Sequence, residues 1–316
     1  MGLEIDPQVL EELAPLLAAE SDPPRVGDVA TRRHDSRRLF AQVVAAHPPV
    51  AGIVVERRSV VSDDGTTIPL SWYSRADSTE PGSAVLYVHG GGMIMGMEEL
   101  GAMYELIVRR YVADSGVPML VVDYRIAPEF PHPVPVQDCY AALVWLASHA
   151  GKLGVDPARL AVMGDSAGGG IAAGVCLLAR DRNGPAVAQQ ILVYPMLDDR
   201  TSVPDPQLVP FLTWTYDDNV TGWRALLGAS ADDVSPYAAP ARATDLSGLP
   251  STYIDAGELD IFRNEDISYA RRLADAGIST ELHLYPGCPH AFEGLAPNAP
   301  VSQRAVANRV RRLCLL

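Results

Sequence analysis

Cysteine is scarce. The 316 residues hold four, Cys139, Cys176, Cys288 and Cys314. No two form a C-x-x-C pair or stand at metal-ligand spacing, which excludes a disulfide scaffold and leaves no reason to expect a metal. Cationic side chains are also few: 25 Lys and Arg against 39 Asp and Glu give a formal charge of -14. Such a field repels a phosphate backbone, so no nucleic-acid partner is expected. The clusters Arg32-Arg33 with Arg37-Arg38, and Arg309-Arg311-Arg312, are interrupted by apolar residues and read as solvated helix faces. Long apolar runs are missing as well, since none approaches the roughly 20 residues that span a bilayer. Glu4, Asp6, Glu11 and Glu12 occupy the start, where a secretory signal needs positive charge and then an apolar run. The expectation is a soluble, reduced, cytoplasmic protein with no membrane association.

What is present is ordinary globular material, 48% hydrophobic and 20% charged. A chain of this length buries about three quarters of its unfolded surface. At roughly 150 residues per domain it suggests two domains, or one large α/β unit. Residues 1–50 alternate apolar and charged positions at helical spacing, broken at Pro23-Pro24 and closed at Pro48-Pro49, which predicts a helical arm. Ile53 to Val61, the turn Asp63-Asp64-Gly65 and Thr66 to Tyr73 then predict a hairpin.

Beyond Pro81-Gly82, short apolar runs recur at Ala84–Val88, Met119–Val122, Leu160–Met163, Ile191–Tyr194, Ser251–Ile254 and Glu281–Tyr285. Helical stretches near 98–113, 136–150, 167–181, 264–276 and 301–313 separate or follow them. Alternation of this kind predicts an α/β fold with a buried, mostly parallel sheet covered by helices. Residues 199–240 break the rhythm and read as an insertion, and its Trp214, Tyr216 and Trp223 either pack a small subdomain or line a pocket.

Gly164-Asp165-Ser166-Ala167-Gly168 fits G-x-S-x-G, a weak pattern alone. Here it follows the strand-like Leu160–Met163 and precedes a helical run, the strand, turn, helix setting that exposes a nucleophilic serine. A serine hydroxyl needs a base and an orienting acid, expected in the order Ser, acid, His. Only His283 and His290 follow the elbow. His283 lies inside an apparent strand, whereas His290 sits in a loop beyond its C-terminal end, where sites on parallel sheets gather, so His290 is the expected base. Asp255, Glu258 and Asp260 are all placed to be the acid, and spacing does not separate them. The developing oxyanion needs donors. The bare backbone of His89-Gly90-Gly91-Gly92 and the N–H of Ala167 can supply them. A phosphate site is not indicated, because Met95 breaks G-x-G-x-x-G and no Gly-Lys-Ser/Thr occurs.

Together these motifs, with Asp123-Tyr124-Arg125-Ile126-Ala127-Pro128-Glu129 and the set Asp260, Arg263, Glu265, His290 and Phe292, resemble the hormone-sensitive-lipase-like (bacterial family IV) carboxylesterases of the α/β-hydrolase superfamily. The resemblance runs from about 53 to 295. It implies an α/β-hydrolase fold with a helical cap made from residues 1–50 and 199–240, on a catalytic domain of 51–198 and 241–316. It implies Ser166 as nucleophile, His290 as base and Asp260 as acid, with Gly91, Gly92 and Ala167 forming the oxyanion hole. His89 would shape the oxyanion loop, and Glu129 with Arg125 would belong to a buried polar framework. Met93, Trp214 and Tyr216 are the expected substrate contacts, Met93 because it directly follows the glycines. The expected activity is hydrolysis of short- to medium-chain acyl esters without a cofactor. A deacetylase or amidase using the same triad, and a non-catalytic small-molecule receptor on this fold, are the rivals. A small-molecule ester is the expected partner, with an edge-paired homodimer through Glu281–Tyr285.

Overall fold

The Asp63-Asp64-Gly65 turn closes as its residues dictate, with Gly65 at φ +85° and the Ser62 N–H donating to the Thr66 carbonyl over 2.8 Å. It joins β1 (Ile53–Val61) to β2 (Thr67–Arg75) in the computed structural model, which describes residues 2–17, 23–45, 47–77, 82–228 and 233–316. Pro81, residues 18–22 of the N-terminal arm and residues 229–232 of the insertion lie outside that set.

Each predicted apolar run is a strand: β3 (Gly82–Val88), β4 (Met119–Val122), β5 (Val155–Asp165), β6 (Gln189–Val193), β7 (Ser251–Gly257) and β8 (Thr280–Tyr285). They form one eight-stranded sheet in the order β1-β2-β4-β3-β5-β6-β7-β8, antiparallel only where β2 meets β1 and β4. Strands β3, β4, β6 and β7, and β5 over its apolar run Leu160–Met163, are buried on both faces, as continuous apolar runs require. The run at β8 differs from the expectation of full burial. It is the outermost strand, and Leu282 and Leu284 are each 39% exposed.

The helices are α1 (Pro7–Leu17), α2 (Val29–Ala45), α3 (Met97–Ser115), α4 (Val134–His149), α5 (Ala167–Asp181), α6 (Tyr216–Leu227), α7 (Arg263–Asp275), the short α8 (Phe292–Leu295) and α9 (Pro300–Leu313). Val9 and Leu13 of α1 join Tyr285, Cys288 and Phe292 in a satellite apolar cluster. The α2 helix meets the insertion through Arg32 Nε, 2.7 Å from Asp218 Oδ1. No described helix is long and apolar enough to cross a membrane.

Two sequence readings are corrected here. Arg32 and Arg309 are not solvated: Arg32 is buried against Asp218 and the carbonyls of Pro24, Arg25 and Asp28, and Arg309 is wholly buried. Glu129 is not paired with Arg125. The backbone reverses where the Phe130 N–H donates to the Ile126 carbonyl, sending the half-exposed Glu129 carboxylate out to Arg33 of α2 at 2.7 Å. Arg125 turns instead toward α4 and grips the buried Asp138 with two N–H groups, at 2.8 and 2.7 Å.

Candidate active site

Close packing builds the elbow between β5 and α5. A Cβ on Gly164 would stand 2.3 Å from the Gly168 carbonyl oxygen, and one on Gly168 would stand 2.2 Å from the Val88 carbonyl oxygen. No larger residue fits either place, which is the physical content of the G-x-S-x-G pattern. Between them Ser166 takes φ +53° and ψ −125°. This sparsely populated conformation is held by the Ser166 N–H donating to Val193 and its carbonyl accepting from Met196.

His290, in the loop after β8, places Nε2 3.0 Å from Ser166 Oγ, and its Nδ1 lies 2.6 Å from Asp260 Oδ2. Asp260 is fully buried in the loop after β7, its other oxygen accepting the Phe262 N–H at 2.9 Å. The imidazole is wedged edge-on between the rings of Tyr194 and Phe262, at 4.7 and 5.1 Å between centroids. The other candidates are engaged elsewhere. Asp255 accepts two bonds from Arg309, Glu258 accepts from the Gly287 N–H, and His283 is 2.7 Å from Glu281 on the edge strand.

Gly91 and Gly92 line the same cavity as Ser166. Both have positive φ, and the Gly91 carbonyl accepts the N–H groups of Ile94 and Met95 to close the loop. Among the described residues the N–H groups of Gly91, Gly92 and Ala167 have no protein acceptor, so they are free to face a substrate oxygen. His89 is stacked on Tyr124 at 4.2 Å and paired through Nδ1 with its own loop at the Gly90 carbonyl. Burial pushes its pKa down to about 4, so it is neutral at working pH.

The cavity holds about 210 Å³. Its lining includes the apolar Leu39, Phe40 and Val43 of α2 and Leu100, Met103 and Ile107 of α3, together with Tyr87, Tyr104, Tyr111 and Tyr194. Trp214 of the insertion closes over the oxyanion loop so tightly that a Cβ on Gly92 would stand 2.3 Å from its ring. Of the three expected substrate contacts only Trp214 lines the cavity. Met93 is fully buried, with its terminal methyl packed toward Gly170 of α5. Tyr216 is buried at the start of α6, where its hydroxyl accepts the Asp205 N–H. Met95, two residues beyond the expected Met93, does reach the cavity. The α2 and tyrosine contacts were not foreseen, because only the fold brings those segments to the serine. Among the described residues no group of three or more His, Cys, Asp and Glu is placed to hold a metal ion.

Behind the acid, the first turn of α7 carries two buried carboxyls. Glu265 fastens the loop after β6 by accepting from the N–H groups of Leu197 and Asp198. Asp266 is fully buried and neither oxygen has a partner among the described residues. Burial, followed by the carboxyls of Glu265, Asp260 and Asp255, pushes its pKa well above the usual carboxylate range. Folding therefore favours its neutral form. This term is fully favourable below the unfolded-state value near 4 and is lost as pH rises through the folded-state value. Asp266→Asn is expected to raise stability by about 1 to 3 kcal/mol at pH 8. Urea unfolding of both forms should show that gain shrinking toward pH 4, whereas a variant less stable at pH 8 would contradict this reading.

Residues 85–294 match the family described as alpha/beta hydrolase fold. The chain belongs to that family, in the hormone-sensitive-lipase-like branch its motifs resemble, and it is a carboxylic ester hydrolase. It is 34% identical to carboxylesterase NlhH of Mycobacterium tuberculosis over 263 residues, 82% of each chain. Esterase LipI of Mycobacterium tuberculosis is 34% identical over 254 residues, 77% of each chain. Among solved structures, a bacterial heroin esterase superposes with a TM-score of 0.87 at 36% identity, covering 98% of this chain and 97% of that one.

Proposed function

We propose that the protein hydrolyses short- to medium-chain acyl esters by two-step acyl transfer through Ser166, His290 and Asp260. Ser166 Oγ attacks the ester carbonyl while His290 Nε2 accepts its proton, and the tetrahedral oxyanion is held by the N–H groups of Gly91, Gly92 and Ala167. The collapsing intermediate expels the alcohol, which takes the proton back from His290. Water, deprotonated by the same imidazole, then frees the acid and restores the serine. Asp260 fixes the tautomer that leaves Nε2 bare and stabilises the imidazolium that forms. The observation that carries this reading is the unbroken chain Ser166 Oγ, His290, Asp260, at 3.0 and 2.6 Å. A modest cavity, apolar along α2 and α3, supports acyl groups of limited length.

On this reading residues 1–50 and 199–240 form the cap over a catalytic domain of 51–198 and 241–316, consistent with the Arg32–Asp218 contact between the two cap segments. We also read the exposed Leu282 and Leu284 on the outer strand β8 as the seat of a homodimer in which two such edges pair. The free cysteines suit a reducing, cytoplasmic setting. The test of specificity is a p-nitrophenyl ester series from acetyl to palmitoyl. kcat/KM is expected to peak among the shorter chains and collapse before palmitoyl. A profile still rising at palmitoyl would contradict the acyl-length assignment, and hydrolysis of anilides alone would move the activity to amides.

A further inference from the structure

Asp165, immediately before the proposed nucleophile, takes no part in the acyl-transfer steps. Its carboxylate is held by two tyrosines. Tyr87 of β3 donates its O–H to Oδ1 at 2.8 Å, and Tyr104 of α3 donates to Oδ2 at 2.6 Å. The Tyr104 hydroxyl is used twice, because the same oxygen accepts the Gly90 N–H at 2.7 Å. A continuous path of two hydrogen bonds therefore runs from a partly buried carboxylate to the backbone residue directly ahead of Gly91 and Gly92. The fit is close enough to demand glycine at 90, where a Cβ would stand 2.6 Å from Asp165 Oδ2 and 2.8 Å from the Tyr104 oxygen.

We infer that Asp165 is a positioning residue for the oxyanion loop, acting through the Tyr104 hydroxyl on the Gly90 N–H. The inference rests on the acyl-transfer reading above. The carboxylate fixes the direction of the tyrosine proton. With that O–H committed to Asp165, the Tyr104 lone pair faces Gly90 and sets where the next two N–H groups lie. Tyr87 donates to the same carboxylate but, among the described residues, its hydroxyl makes no hydrogen bond to the loop, so it supplies a comparison. The two tyrosine protons go to different carboxylate oxygens, and an amide at 165 puts an NH2 donor in place of one of them, so one tyrosine O–H faces a donor. One donor is then left buried without a partner. His290, Glu293, Tyr124 and Tyr194 also face this carboxylate, and burial raises its pKa to about 6. The test is run at pH 8, where it is ionised.

Tyr104→Phe is expected to lower kcat by about 10- to 100-fold with KM nearly unchanged, the pattern of a displaced oxyanion donor. Affinity for a trifluoromethyl ketone, whose hemiketal oxyanion occupies the same hole, should fall in parallel. Asp165→Asn should reproduce the loss, and the double variant should be no worse than Tyr104→Phe alone, since the two act in one chain. Tyr87→Phe removes a bond to the same carboxylate from a ring that also lines the cavity, so its effect is expected mainly in KM, with a kcat loss several-fold smaller than that of Tyr104→Phe. Equal losses in Tyr87→Phe and Tyr104→Phe would reduce the cluster to a packing role and overturn the inference, as would native kcat and ketone affinity in Tyr104→Phe. Should Tyr104→Phe not fold, native kcat in Asp165→Asn overturns it in the same way. The underlying reading fails separately: hydrolysis surviving in Ser166→Ala removes the acyl-enzyme itself, whereas a dead Ser166→Ala beside a fully active Tyr104→Phe removes only the positioning role.

Discussion

Ser166→Ala is expected to lower kcat on a p-nitrophenyl ester by about 10⁶-fold and to leave the thermal unfolding midpoint near the native value. The expected loss is large because on the proposed mechanism the Ser166 hydroxyl is the group that attacks the ester carbonyl. The fold survives because alanine keeps the backbone bonds to Val193 and Met196 that hold residue 166 in place. His290→Ala costs a similar factor, and the double variant is scarcely worse than either single change, since nucleophile and base act as a unit. Asp260→Asn is expected to cost about 10⁴, the effect of leaving the imidazole in the wrong tautomer. Steady-state hydrolysis with a melting curve for each variant checks the set. Multiplicative losses in the double variant would mean that serine and histidine serve different steps.

The largest expected effect on stability lies behind the site. Arg309 of α9 is fully buried and places Nε 2.6 Å and Nη2 3.0 Å from the two oxygens of Asp255, itself fully buried at the end of β7. Its remaining nitrogen reaches Glu293, whose Oε1 also accepts the Tyr194 hydroxyl at 2.6 Å. The guanidinium lies 5.3 Å from the centre of the Tyr194 ring, and that ring packs against His290. One cation therefore compensates two carboxylates and braces the aromatic wall of the base. Arg309→Met leaves the fully buried Asp255 and the partly buried Glu293 without a counter-charge, which is expected to cost about 3 to 5 kcal/mol. Urea unfolding at pH 7.5 measures it, and a loss under about 1 kcal/mol would show that water or rearrangement relieves the charges. Arg309→Lys should recover only part of the loss, because an ammonium cannot reproduce the two-pronged contact with Asp255.

The placement of Ser166 and His290 within hydrogen-bond reach of each other was legible in sequence for physical reasons. Gly164 and Gly168 are forced by backbone contacts, and His290 lies in the loop beyond a parallel strand while His283 lies within one. Which carboxylate meets His290 was not legible from spacing: the sequence put Asp255, Glu258 and Asp260 in one loop, whereas Asp255 lies in β7 and pairs with Arg309, Glu258 accepts from Gly287, and Asp260 reaches His290. Hidden contacts of this kind defeat sequence reading because the partners are distant in the chain: Asp165 meets Tyr87 and Tyr104, 78 and 61 residues away. The buried Arg309 did leave a signal. It shares one helical stripe with Val301, Ala305 and Leu313, four residues apart, all of them buried. Composition read it as part of a charged face, whereas periodicity places it inside. The cavity lining was the least legible part, since Met93 is buried and does not line it while α2, far from any motif, contributes Ser36, Leu39, Phe40 and Val43.

The central claim is that Ser166 is an activated nucleophile, and covalent labelling tests it most directly. Native protein treated with a p-nitrophenyl alkylphosphonate should release one equivalent of p-nitrophenol and gain one phosphonyl group, mapped to Ser166 by peptide mass spectrometry. The adduct should be absent from Ser166→Ala and form far more slowly in His290→Ala. Stoichiometric labelling at any other residue, or an unlabelled protein that still turns over esters, would contradict the account.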